Sequence, residues 1–170
     1  MDKVTEQILE KVRRISLTHP EGEKFFDALD EELNVNSSNE MYEALLQLVP
    51  DNFTVVISGG FGKIFSQKMD DGEISSRPYI LYKGGIRKGG ELEILKVSGD
   101  ITRKAIFLDD SIYGGLTYRL IKSHLKENFV ATVDVQKCGV IYDGCPVKKD
   151  EVLSLFRYYD HFEAKPNYKF

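Results

Sequence analysis

Apolar residues in the first third of the chain recur every three or four positions. Val4, Ile8, Val12 and Ile15 trace one stripe, the period of an amphipathic helix. After Pro20 the stretch THPEGEKFFDALDEEL restarts the pattern, with Phe25, Phe26, Leu29 and Leu33 on one side and acidic residues on a solvated face. SSNEMYEALLQLVP carries a capping-box pattern, Ser37 with Glu40 three residues on, and predicts a helix that stops before Pro50.

From residue 53 the period changes. FTVVIS (53–58), YILYK (79–83) and KAIFLD (104–109) are short runs rich in β-branched, aromatic and other apolar residues, of the kind that form buried strands. ELEILKV, VATVDV and CGVIY predict further strands. Between them, GGFGKIFSQKM turns through glycines into a helix, DDG at 70–72 marks a turn, and residues 115–127 predict a helix with Leu116, Leu120, Ile121 and Leu125 at helical spacing. KKDEVLSLFRYY predicts a closing helix. Helices first, then strands alternating with helices, imply an α/β domain with a mainly parallel sheet. The expected organisation is one domain over 1–170: a helical region at 1–50 that suits a cap or a dimerisation element, an α/β core at 53–142, and a C-terminal helix and tail at 148–170.

Composition narrows the function classes. With 170 residues, 42% hydrophobic and 29% charged, the chain can bury a core without staples. A net charge of −4 gives no support to a nucleic-acid footprint, yet leaves room for a local basic pocket. Cys138 and Cys145 lack the second pair that a zinc quartet needs and read as reduced thiols. His19, His124 and His161 show no ligand spacing and read as structural or surface residues. The charged N-terminus has no signal-like apolar core, and no run reaches membrane-spanning length. The expected setting is the cytoplasm, with no membrane partner.

The stretch AIFLDDSIYGGLTYRL concentrates the candidate chemistry. Asp109 and Asp110 fall at the carboxyl end of a predicted strand, where open α/β sheets bind ligands. Successive strand residues point to opposite faces, so the pair divides in role if the strand continues through it. Such carboxylates accept bonds from sugar hydroxyls or hold a hydrated divalent cation. The loop that follows carries Gly114 and Gly115 and leads into a helix whose free N–H groups favour a phosphate. Thr117 supplies a further donor or a cap. Carboxylates for hydroxyls beside donors for phosphate suit a sugar phosphate.

This stretch resembles the signature of type I phosphoribosyltransferases, a hydrophobic strand running into an acidic pair and then a small-residue loop. Asp109 and Asp110 match the acidic pair, Ile112 an apolar position after it, Gly115 the first loop glycine and Thr117 the closing threonine. Tyr113 and Gly114 depart from the usual small or hydroxyl residues, and Leu116 stands at the second glycine. VVISGGFGKIF is similar to the family's earlier strand–loop–helix, with Gly59 and Gly60 matching its glycines and Ser58 replacing its arginine. Lys63 is a nearby cation without a counterpart there, and a Walker-type phosphate loop fails on spacing. YILYKGGIRKGGELE resembles the strand-end lysine and basic glycine-rich loop of the orotate branch. Lys83 matches the lysine, Tyr82 replaces an arginine, Gly84 replaces a glutamate, and Arg87 or Lys88 stands for the loop lysine.

The resemblance spans residues 53–127. It implies a three-layer phosphoribosyltransferase-like domain with an N-terminal helical cap, acting with Mg2+ on phosphoribosyl pyrophosphate (PRPP) and a nucleobase or nucleotide, as a possible homodimer. Asp109, Asp110 and Lys83 are its implied catalytic residues. Ser111, Tyr113, Gly114, Gly115, Leu116 and Thr117 form its 5′-phosphate loop. Ser58, Gly59, Gly60, Lys83, Arg87 and Lys88 form its pyrophosphate site. The metal is implied to be held by PRPP and water near Asp109 and Asp110, with no direct protein ligand. Ser58, Tyr113 and Gly114 keep open an inactive relative that binds PRPP or a nucleotide as a regulator. A third class is an interaction module whose acidic loop binds a protein. The aromatics Tyr142, Phe156, Tyr158 and Tyr159 read as core rather than as a base-stacking set.

Overall fold

The computed structural model describes residues 2–18, 27–29, 31–33, 38–86, 89–112, 116–128, 134–142 and 152–157. The strands are β1 (Thr54–Ser58), β2 (Tyr79–Tyr82), β3 (Ile94–Ser98), β4 (Lys104–Ile112), β5 (Asp134–Tyr142) and β6 (Val152–Arg157). The helices are α1 (Lys3–Thr18), α2 (Asn39–Gln47), α3 (Gly59–Asp70) and α4 (Leu116–Asn128). Residues 27–29 and 31–33 are also helical. All six strands lie in one sheet of order β3-β2-β1-β4-β5-β6. Every neighbouring pair is parallel except β2 and β3, which are antiparallel.

The topology follows from the helix-bearing connections. β1 passes through α3 to β2 on one side, and β4 passes through α4 to β5 on the other. The winding therefore reverses between the adjacent strands β1 and β4, which register as Thr54↔Ala105 and Val56↔Phe107. A sheet wound this way is covered on both faces, and its central strands are buried on both. β1 and β2 are accordingly buried almost throughout, whereas the edge strand β3 is largely exposed.

Alternation along the strands feeds two cores. Val55, Ile57, Tyr79, Leu81, Ile106 and Leu108 join Ile8, Val12, Leu29, Leu33, Tyr42, Leu45, Phe61 and Phe65 on one face. Val56, Ile80, Tyr82, Ala105 and Phe107 join Ile121 and Leu125 of α4 on the other. On the first face α3 packs on β1 and β2, while α1 packs against α2 and β6, and α2 against β5 and β6. The three-layer α/β domain with a mainly parallel sheet and N-terminal helices is thus present.

Several elements differ from the sequence pattern. β4 runs three residues past Asp109, because β5 continues the ladder through Asp109↔Gly139, Ser111↔Ile141 and Ile112↔Tyr142. VATVDV and CGVIY are not two strands: residues 134–142 form the single strand β5, and residues 130–133 lie outside the described set. The expected closing helix is corrected, since residues 152–157 form strand β6, parallel to β5 from Lys137↔Val152 to Tyr142↔Arg157. In V-L-S-L-F the apolar residues fit helical spacing, but Leu153 and Leu155 also fit period two, and an open strand edge selects the latter. Helix α2 is preceded by Ser38 at the N-cap, without a side-chain capping bond, rather than by Ser37, which lies outside the described residues. Phe25 and Phe26 also lie outside them, while Leu29 and Leu33 are fully buried.

Candidate functional site

The carboxyl ends of β1, β2 and β4 lie side by side at the reversal of winding, where ligands bind in doubly wound sheets. At the end of β1, Ser58 is extended (φ −147°, ψ 159°) and precedes α3 without capping it through its side chain. Gly59 takes φ +66°, a backbone state that L side chains avoid. A Cβ on Gly60 would meet nothing within 4 Å, so the backbone there is open to a ligand. The first N–H groups of the 12-residue α3 are unpaired within the helix and carry its positive dipole end. Lys63 is exposed in the next turn.

The β2 loop touches the β1 loop. A Cβ on Gly84 would lie 3.0 Å from the Gly59 Cα, so the two backbones meet closely and a side chain there requires the Gly59 backbone to give by a few tenths of an ångström. Lys83 donates its backbone N–H to the Glu93 carbonyl at 2.8 Å. Its Nζ lies 3.7 Å from Glu93 Oε2, with both side chains about 60% exposed. Exposed pairs of this kind are worth at most about 1 kcal/mol, so Lys83 can exchange Glu93 for a ligand oxygen. Past Gly85 the loop is closed by the Gly90 N–H donating to the Gly85 carbonyl at 2.9 Å, and Ile86 anchors it in the α4-side core. Arg87 and Lys88 lie outside the described residues.

On β4 the two aspartates separate. Asp110 continues the Ile106–Leu108 face and is 8% exposed beneath the N-terminal helical layer. Asp109 continues the Ala105–Phe107 face toward α4 and is half-buried. Its Oδ1 accepts the Asp110 backbone N–H at 2.9 Å, which fixes one carboxylate oxygen. Ser111 stays within the β4–β5 ladder. Tyr113, Gly114 and Gly115 lie outside the described residues; Leu116 is exposed and Thr117 half-buried in the first turn of α4.

Two tyrosines that the sequence reading did not place in a site flank these loops. Tyr82, fully buried, shares a 2.9 Å hydrogen bond with His124 Nδ1 of α4, and the rings meet edge to face. Burial pushes the Tyr82 hydroxyl up, so it stays protonated. The pair ties β2, which Lys83 directly follows, to the helix that carries Thr117. Tyr42 of α2 stacks on Phe61 at 5.7 Å and meets Phe65 edge-on at 5.1 Å. Its hydroxyl is pushed up to about 12 by burial and then by the facing Asp110 charge. In the sequence Tyr42 stands only within the predicted helix SSNEMYEALLQLVP, and no local motif distinguishes it.

Among the described residues no group of three or more His, Cys, Asp or Glu is gathered to hold a metal, and no helix is long and apolar enough to cross a membrane. Tyr142 and Phe156 lie in β5 and β6, and Tyr158 and Tyr159 lie outside the described residues.

No protein-family model and no curated protein sequence matches the chain. Among solved structures it is similar to a xanthine-guanine-hypoxanthine phosphoribosyltransferase of Helicobacter pylori, with 11% identity over 69% of this chain and 80% of that one, at a TM-score of 0.43. It is similar to a hypoxanthine-guanine phosphoribosyltransferase of Bacillus anthracis, with 20% identity over 93% of this chain and 80% of that one, at 0.40. It is also similar to the UMP synthase of Leishmania donovani, with 13% identity over 88% of this chain and 30% of that one, at 0.46. Likeness this distant leaves the chemistry to be argued from the strand-end geometry.

Proposed function

We propose that the chain is a phosphoribosyltransferase that moves the 5-phosphoribosyl group of PRPP to a nucleobase nitrogen and releases pyrophosphate. One observation carries the reading: glycine loops follow β1 and β2, and a carboxylate pair lies within the last four residues of β4, on the three adjacent strands at the reversal of winding. In this reading Asp109 and Asp110 orient the ribose hydroxyls and face the positive charge that develops on the ribose ring. The amides of Gly59 and Gly60, with Lys83 and the Arg87–Lys88 segment, take the charge that grows on the leaving pyrophosphate. The loop from Ser111 through Tyr113, Gly114, Gly115 and Leu116 to Thr117 holds the 5′-phosphate at the start of α4. The 84–90 loop excludes water from the donor.

The reading implies Mg2+. The two adjacent carboxylates face opposite sides of the sheet, so they form no cage. A half-buried Asp109 beside a phosphate-binding loop fits an ion held mainly by donor oxygens and water, reached through its water shell. When bound, the ion supplies positive charge to the departing pyrophosphate.

Pyrophosphate release is the test, with PRPP, Mg2+ and a panel of purine and pyrimidine bases. Turnover on one base, lost in Asp110→Asn and reduced at least tenfold in Asp109→Asn, is the expected result. A second reading, a regulator that binds PRPP or a nucleotide without turnover, is favoured by the buried, His124-bound Tyr82 beside Lys83 and by the uncharged Ser58. Donor binding with no turnover on any base supports it. A donor that neither binds nor raises the melting temperature sinks both. The expected homodimer is checked by sedimentation of the full chain.

A further inference from the structure

Asp110 does not point into open solvent at the strand end. Alternation carries it into the face that holds Ile106, Leu108, Tyr42, Phe61 and Phe65. On that face Tyr42 is fully buried, and its hydroxyl has no hydrogen-bond partner among the described residues. A buried hydroxyl left unpaired is costly to the fold, and such groups call for an explanation. Its ring stacks on Phe61, which directly follows Gly59 and Gly60, so the helix that starts at that glycine pair sets where the hydroxyl lies. Tyr42 therefore stands between the helix that starts at one loop and the carboxylate of the other.

We infer that Tyr42 positions Asp110, its hydroxyl donating to the Asp110 carboxylate directly or across one water. This rests on the transferase reading and adds to it a residue from the N-terminal helical layer. The hydroxyl is protonated at neutral pH, as the donor role requires, because burial and the facing carboxylate both oppose its ionisation. In the present arrangement the bond is not made. A bridging water completes it. The N-terminal helices then serve the site as well as the core.

The test is Tyr42→Phe in the full chain, which keeps the ring against Phe61 and Phe65 and removes only the unpaired oxygen. Its melting temperature is expected to equal or exceed that of the wild type. The side-chain carboxyl 13C resonance of Asp110, assigned by its loss in Asp110→Asn, is expected to move at unchanged pH. Calorimetry with PRPP and Mg2+ is expected to show a Kd about tenfold weaker, the loss of one hydrogen bond to a charged group. A resonance that does not move overturns the pairing, and one that moves with an unchanged Kd overturns the positioning role. If the resonance moves but wild-type protein binds no PRPP, the transferase reading falls and the Tyr42–Asp110 pairing stands. Should Tyr42→Phe fail to fold, 3-fluorotyrosine at position 42, a stronger donor, must shift the same resonance for the pairing to survive.

Discussion

Tyr82 and Asp70 show how single side chains hold the frame around the loops. Tyr82→Phe leaves His124 Nδ1 to water and is expected to cost about 1 kcal/mol, read from the denaturant midpoint. Asp70 accepts from Lys96 Nζ at 2.7 Å and from the Tyr79 hydroxyl at 3.0 Å, joining the end of α3 to β2 and β3. The Lys96 bond, and then the Tyr79 hydroxyl, hold the Asp70 carboxyl below its ordinary value of 3.8 against a partial desolvation. A depressed carboxylate stabilises the fold above its unfolded pKa, and that contribution is lost as pH falls through the folded value. Asp70→Asn should therefore be less stable than wild type at neutral pH. The gap should close below about pH 3.8, measured by urea unfolding across pH.

At the scale of elements, the contact between the β1 and β2 loops matters most. Gly84 has an ordinary φ, so it is the Gly59 backbone that opposes a side chain there. Gly84→Ala must push the Gly59 backbone away. On the proposed transferase reading it is expected to weaken PRPP binding about tenfold while lowering the melting temperature by only a few degrees, measured by calorimetry and thermal unfolding. Gly62 acts one turn further on: its Cβ would fall 2.8 Å from Leu81 Cδ1 and 3.1 Å from the Ile57 carbonyl carbon, so α3 seats directly on β1 and β2. Gly62→Val is expected to cost about 2–3 kcal/mol by chemical unfolding. The antiparallel edge strand β3 shows the other end of the range, with Leu95 and Val97 more than 40% exposed.

At the scale of the whole molecule, the N-terminal helices are part of the core. Ile8, Val12, Leu45 and Leu46 are buried with the β1, β2 and β4 side chains of one face. Leu45→Ala is expected to destabilise the whole domain by about 2–5 kcal/mol in one cooperative transition, by denaturant titration. A separable cap would instead unfold alone and leave the sheet's transition unchanged.

The chain's periodicities determined much of this. The stripe of Ile8, Val12 and Ile15, the β-branched run of β1 and the glycines that follow it each point to one local structure, because each pattern suits a single period or backbone state. The places of Ser58, Gly59 and Lys83 at or beside strand ends were legible for the same reason. Local pattern could not decide what depends on a neighbour. Residues 152–157 became a strand because β5 offered an unpaired edge, and β4 ran on to Ile112 because β5 continued its ladder. The same extension sent Asp109 and Asp110 to opposite faces, and only the packing of α2 brought Tyr42 onto the Asp110 side. Sequence sets the period of each segment, which is a short-range property of the backbone. Tertiary structure sets pairing and facing, since those energies are gained only when distant segments meet.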